Sequence, residues 1–125
     1  MDKLILSPLA HTWIFDIDGT IVKHNGYKLD GHDTLLIGVK EFFDENVKAS
    51  DMVILLTSRE EEYMDYTKKF LSENGIRYNY IIAGVPYGER ILINDKKPSG
   101  LETAKAINID RNNFIINDIA IGDKL

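Results

Sequence analysis

The sequence predicts an α/β protein built in three layers, a parallel sheet with helices on both faces. Three observations predict it. Apolar runs rich in β-branched and aromatic residues recur at 12–16, 52–57, 78–83 and 90–95 and read as buried strands. Segments of helical period stand between or after them, and strands alternating with helices give a parallel sheet. The runs are continuously apolar, as strands covered on both faces are. One domain spanning 1–125 is expected, since a chain of 125 residues buries about two-thirds of its unfolded surface, enough for one core.

Each element has its own signal. Residues 3–6 form a short strand closed by Ser7-Pro8. The first central strand, from Thr12 to Asp16, ends abruptly in Asp16-Ile17-Asp18-Gly19-Thr20. Residues 21–32, with His24, Asn25, Gly26, Asp30, Gly31 and His32, have loop composition and are too short for an independent cap. From Asp33, a plausible N-cap, Leu36, Val39, Phe43 and Val47 recur every three to four residues and predict an amphipathic helix. The strand 52–57 ends in Thr57-Ser58-Arg59, and Ser58 with Glu61 makes a capping box for a second helix. That helix turns Tyr63, Thr67, Phe70 and Leu71 inward and stops at Asn74-Gly75. Strands at 78–83 and 90–95 follow. Ser99 and Glu102 form a second capping box for a helix reaching Ile107, and 114–116 is the last strand. The tail from Asn117 carries no signal.

Three of these strands end in polar groups: Asp16 and Asp18, Thr57 and Ser58, and Asp95. In a parallel sheet, ligands collect beyond the carboxyl ends of the strands. Two acids and a hydroxyl delivered there build a poor core. They build a good site for a divalent cation and a phosphate. Taken singly, the features are ordinary: an Asp-Gly is usually a turn, and a serine before a helix is usually a cap. The histidines 11, 24 and 32 show no metal-ligand spacing, and Glu60–Glu62 is an acidic helix start.

Bulk properties exclude several classes. A formal net charge of −5 without a basic run argues against nucleic acid or an anionic membrane as partner. No apolar stretch approaches the roughly 20 residues of a membrane span. No cysteine is present, so disulfides and thiolate metal sites are out. The start Met1-Asp2-Lys3 is too charged for a signal peptide, and a cytoplasmic protein is expected.

The stretch Phe15-Asp16-Ile17-Asp18-Gly19-Thr20 resembles the first motif of the haloacid dehalogenase superfamily. Leu55-Leu56-Thr57-Ser58-Arg59 resembles its second motif, and Ile93-Asn94-Asp95 its fourth, so the likeness covers about residues 12–97. More narrowly, Pro86-Tyr87-Gly88-x-Arg90-x-Leu92-x-Asn94-Asp95-x-Lys97-Pro98 looks like small members associated with bacterial surface-polysaccharide synthesis. The resemblance implies a Rossmann-like sheet with a minimal cap or none, and a magnesium-dependent phosphatase. Asp16 would be the nucleophile forming an aspartyl-phosphate, and Asp18 the general acid. Magnesium (Mg2+) would be held by Asp16, Asp18 and Asp95, with the Asp18 main-chain carbonyl as a further ligand. Gly19, Thr20, Thr57 and Ser58 would hold the phosphate.

The superfamily's third motif is a lysine preceding the fourth, and here the sequence departs from it. Lys97 is favoured for that cation and Arg90 is second, with Lys68 and Lys69 on a helix behind them. The implied substrate is a small phosphomonoester, with a sugar phosphate foremost. In capless members a neighbouring subunit can supply a lid, so a homo-oligomer is a further expectation. The alternative is a phosphate- or metabolite-binding protein with little turnover. A phosphoaspartate receiver ranks below both, since the second long strand ends in Thr57 rather than an acid.

Overall fold

The computed structural model describes residues 3–125. It is a mixed α/β chain with two parallel sheets. The described residues divide into two compact units: 10–87 with 109–115, and 3–9 with 88–108 and 116–125.

The larger unit holds β2 (Thr12–Asp16), α1 (Gly26–Leu29), α2 (Val39–Asn46), β3 (Met52–Leu56), α3 (Met64–Glu73) and β4 (Tyr80–Ile82). Its sheet runs β2-β3-β4, all parallel, with Asp16 opposite Leu56 and Leu56 opposite Ile82. Successive side chains alternate between the two faces. One face carries Trp13, Phe15, Val53 and Leu55. The latter three are buried, and Phe42 and Phe43 of α2 pack on this face. Phe43 stacks on Phe15 at 4.8 Å between ring centroids, and Phe42 meets Trp13 edge-on at 5.5 Å. Such aromatic pairs contribute about 0.5–1.5 kcal/mol each beyond their burial.

The Lys40 stem of α2 lies against Gly75, just past the end of α3, so the two helices are neighbours. The opposite face stays open. Ile14 is 50% exposed, Tyr80 58% and Ile82 49%. Continuous apolar composition therefore did not mean double coverage: within this unit the sheet has one helical layer.

Several expected boundaries moved. Strands β2 and β3 lie where the apolar runs placed them, and α3 ends at Asn74-Gly75, where Gly75 takes φ 69°. The first helix begins later than expected, at Val39 behind Gly38, and Asp33 caps nothing. Ser58 does not cap the second helix either. Its hydroxyl donates to the Val85 carbonyl at 2.7 Å, and a 3₁₀ turn at Glu61–Tyr63 precedes α3. Loop 21–32 contains the single helical turn α1, and Val22 makes isolated bridges to Asp18 and Leu35.

The smaller unit pairs β1 (Leu4–Leu6) with β5 (Ile119–Ile121) in parallel. The strand expected at 90–95 and the helix expected at 98–107 are irregular backbone, and residues 86–100 are exposed. No strand among the described residues pairs with 90–95, and an unpaired apolar run has no ladder to hold it extended. The Ser99 hydroxyl bonds the Leu125 carbonyl, and Gly100 closes a turn back to Lys97, so the second capping box does not form. The last strand forms at 119–121 rather than 114–116. Phe114 instead belongs to the larger unit, edge-on to Phe42 at 5.4 Å. No helix of the described residues is long and apolar enough to cross a membrane.

Buried Asp51 ties the start of the larger sheet. It accepts the His11 N–H at 2.9 Å, the Trp13 indole N–H at 2.9 Å and the Lys48 N–H at 3.0 Å. Burial pushes its pKa up, but the three donors outweigh that and hold it below the usual value. A depressed folded-state pKa adds stability above the unfolded value, and that stability is lost as pH falls through the folded one. Asp51→Asn should therefore flatten the acid limb of the stability curve below about pH 4. It should also lower stability near neutrality by about 1–3 kcal/mol, since its amide NH2 faces N–H donors. Urea melts from pH 3 to 7 check this, and an acid limb as steep as the parent's refutes it.

Candidate functional site

The site is built where β2 ends. Pairing runs one step past the strand, with the Ile17 N–H on the Leu56 carbonyl at 3.0 Å. The chain then folds back on itself: the N–H groups of Thr20, Ile21 and Val22 converge on the Ile17 carbonyl, and the Gly19 N–H donates to the Val22 carbonyl at 2.7 Å. Gly19 takes φ 84°, a conformation side chains rarely adopt, and a Cβ there would meet the Arg111 stem at 3.1 Å. Fully buried Ile21 and Val22 anchor the far side of this turn.

Asp18 sits at the turn with both carboxylate oxygens engaged. Oδ1 accepts Arg59 Nε at 3.0 Å and Nη2 at 2.9 Å, and Oδ2 accepts the Thr57 hydroxyl at 2.8 Å. The same guanidinium holds Asp33 through two parallel bonds of 2.9 and 2.7 Å, and its remaining Nη1 proton goes to the Thr67 hydroxyl at 2.9 Å. All five donors of Arg59 are thereby used. The Tyr27 ring of α1 lies 3.9 Å from the guanidinium carbon. Arg59 is only 3% exposed. Burial alone would lower its pKa, but Asp33 and Asp18 raise it well above the ordinary arginine value, so it stays charged. Burial foremost raises the Tyr27 pKa, which keeps the phenol neutral.

This cluster makes Arg59 the hub of the unit. It joins the β2 turn, the segment 27–33 and α3, and sequence reasoning assigned it nothing. Asp33, expected as a helix cap, is instead a buried ion-pair partner. The only local signal was an arginine directly after a strand-ending Thr-Ser, beside three glutamates that make it look solvated.

The other expected site residues fall as follows. Asp16 ends β2, and the Thr20 hydroxyl lies 3.3 Å from its Oδ2, long for an O–H···O bond. Thr57 is fully buried. It donates to Asp18 and receives the Arg59 main-chain N–H at 3.1 Å. Ser58 spends its proton on Val85. Lys68 and Lys69 are exposed on α3. Asp95, Lys97 and Arg90 belong to the smaller unit, in irregular backbone. Besides Arg59, the larger unit brings Arg111 to the turn, its stem packing on Gly19. The adjacent Asn112 N–H donates to the Gly19 carbonyl at 2.8 Å, and its side chain accepts the His24 N–H at 2.7 Å.

Among the described residues, no three His, Cys, Asp or Glu side chains gather as a metal site. The turn can nevertheless offer a hard cation the Asp16 carboxylate and the Asp18 main-chain carbonyl. Magnesium takes one or two carboxylates and keeps several waters, so this donor set fits it. The Asp18 side chain is committed elsewhere. Fold and site together define a parallel α/β unit with an ordered pair of acids at a strand end. Comparison with protein-family models, with curated proteins and with solved structures finds no match to the chain.

Proposed function

We propose that the chain is a magnesium-dependent phosphatase of the haloacid dehalogenase type. It acts on a small phosphomonoester, with a sugar phosphate as the leading candidate. The observation that supports this is the double hold on Asp18, directly beyond the strand that ends in Asp16. One oxygen of Asp18 is held by a guanidinium and the other by a hydroxyl, which fixes the carboxyl group beside Asp16.

The chemistry follows from the two acids. An Asp16 oxygen attacks phosphorus and forms an O–P bond, while the bond from phosphorus to the ester oxygen breaks. Asp18 gives that oxygen its proton, and later takes one from the water that cleaves the Asp16 phosphate. Magnesium, when bound, offsets the charge of Asp16 and of the phosphate. Arg59 is fully used by Asp18, Asp33 and Thr67, so it is not the phosphate's cation. Lys97, from the resemblance, and Arg111, from the structure, compete for that place.

The direct test is hydrolysis of p-nitrophenyl phosphate with and without magnesium, followed by a panel of sugar phosphates. A cation bound only by the folded state adds about 2.7 kcal/mol at a hundredfold excess over its Kd. The melting temperature should thus rise by several degrees in magnesium. Asp95→Ala should blunt the rise if that acid shares the ion. Whichever of Lys97→Ala and Arg111→Ala loses kcat/KM about 100-fold marks the phosphate's cation. An unchanged melting curve and no magnesium-dependent turnover would refute the reading.

One observation favours a second reading, a phosphate- or metabolite-binding protein with little turnover. The hydroxyls of Thr57 and Ser58 and the N–H of Gly19 are spent on internal bonds. Binding of inorganic phosphate without hydrolysis of any phosphomonoester in the panel would select it.

A further inference from the structure

The two oxygens of Asp18 are held by groups of different capability. Oδ1 receives two N–H groups from one guanidinium, at 3.0 and 2.9 Å. A guanidinium can only donate, so Oδ1 can only accept. Oδ2 faces the Thr57 hydroxyl at 2.8 Å. A hydroxyl rotates and can either donate or accept. The Thr57 oxygen is itself fixed by the Arg59 main-chain N–H at 3.1 Å, so it keeps its place in both states. Arg59 cannot drift either, because Asp33 grips its other edge and Thr67 takes its last proton.

We propose that Arg59 and Thr57 are positioning residues that divide the oxygens of Asp18, Arg59 anchoring Oδ1 and Thr57 serving Oδ2 as the proton-carrying oxygen in ester cleavage. This rests on the phosphatase reading. In the protonated form of Asp18, the form that can act as the acid, Oδ2 bears the proton and the Thr57 hydroxyl turns its lone pair toward it. As the bond from phosphorus to the ester oxygen breaks, the proton passes from Oδ2 to that oxygen, which leaves as an alcohol. The Thr57 hydroxyl then turns its own proton to the new carboxylate, the arrangement seen here. When water cleaves the Asp16 phosphate, Oδ2 takes the water's proton back. No further reactant is needed.

A merely structural Thr57, or one that holds phosphate, gives a different kinetic signature. The test compares Thr57→Val, Thr57→Ser and Arg59→Lys on p-nitrophenyl phosphate and on glycerol phosphate, with magnesium. Protonation matters for the alkyl ester and little for nitrophenolate, which leaves unaided. Thr57→Val should lower kcat on glycerol phosphate by about 100-fold or more, the scale of general acid catalysis, and on the nitrophenyl ester about tenfold or less. KM should stay near the parent value, and Thr57→Ser should restore the alkyl rate. Arg59→Lys keeps the charge but loses the fork that grips both acids, and should show the same selective loss. Melting curves identify a variant that fails to fold, in which case the serine and lysine variants decide. Equal loss on both substrates, or a rise in KM alone, overturns the positioning role and leaves the phosphatase reading standing. A parent protein inert toward both substrates overturns both.

Discussion

On the phosphatase reading, Asp16→Asn should abolish turnover and leave the fold in place. Asp16 is the last residue of β2, paired opposite Leu56, and its backbone sits inside the three-stranded ladder. The amide has the shape of the carboxylate, and its oxygen can still accept the Thr20 hydroxyl. Stability should therefore change by no more than ~1 kcal/mol, the ordinary range for a single half-buried substitution. Chemistry is another matter. An amide oxygen does not attack phosphorus to leave a stable acyl phosphate, and removal of an enzyme's nucleophile costs on the order of 10⁴- to 10⁶-fold in kcat. Steady-state kinetics on p-nitrophenyl phosphate in magnesium, with far-UV circular dichroism as the fold control, measures both. A folded variant with the parent's rate would remove Asp16 from the mechanism.

How far the sequence speaks depends on where each signal comes from. Thr12–Asp16 and Met52–Leu56 were legible because a five-residue apolar run bounded by polar residues carries its own evidence. The stop at Asn74-Gly75 was legible for the same reason, since φ 69° at Gly75 is a local demand. The run Arg90–Asp95 looks just as apolar, yet a strand exists only when another strand pairs with it, and partner choice is not a local property. The short β5 failed in the opposite sense: three unremarkable residues became a strand because Leu4–Leu6 pairs with them. Capping boxes misled twice. Ser58 and Ser99 found carbonyl partners at Val85 and Leu125, both far along the chain.

That Asp16, Asp18 and Gly19 share one turn at a strand end was legible because they follow one another. Arg59 was not, because Asp18 lies 41 positions away and Asp33 26. No periodicity records such a separation, and a charged side chain reads as exposed until its partners are known.

The second large effect is structural and does not depend on any activity. Arg59→Met should destabilise the protein by about 3–5 kcal/mol, the cost of leaving buried charge without its partner. The side chains of Arg59 and Asp33 are each 1% exposed, so Asp33 cannot replace the lost guanidinium with full hydration. At roughly 3 °C per kcal/mol for a chain near this size, the melting temperature should fall by about 10–15 °C. Removing the buried acid as well should return part of that loss. The pair Arg59→Met with Asp33→Leu leaves one acid, Asp18, whose side chain is 15% exposed and reaches water. The double variant should therefore be more stable than Arg59→Met alone, with a coupling energy of at least about 1 kcal/mol between the two positions. Urea denaturation of the parent, both single variants and the double variant closes the cycle. Additive losses would mean that the two residues do not act as a pair. A loss below about 1 kcal/mol for Arg59→Met would place the guanidinium in solvent, where an exposed ion pair contributes that little.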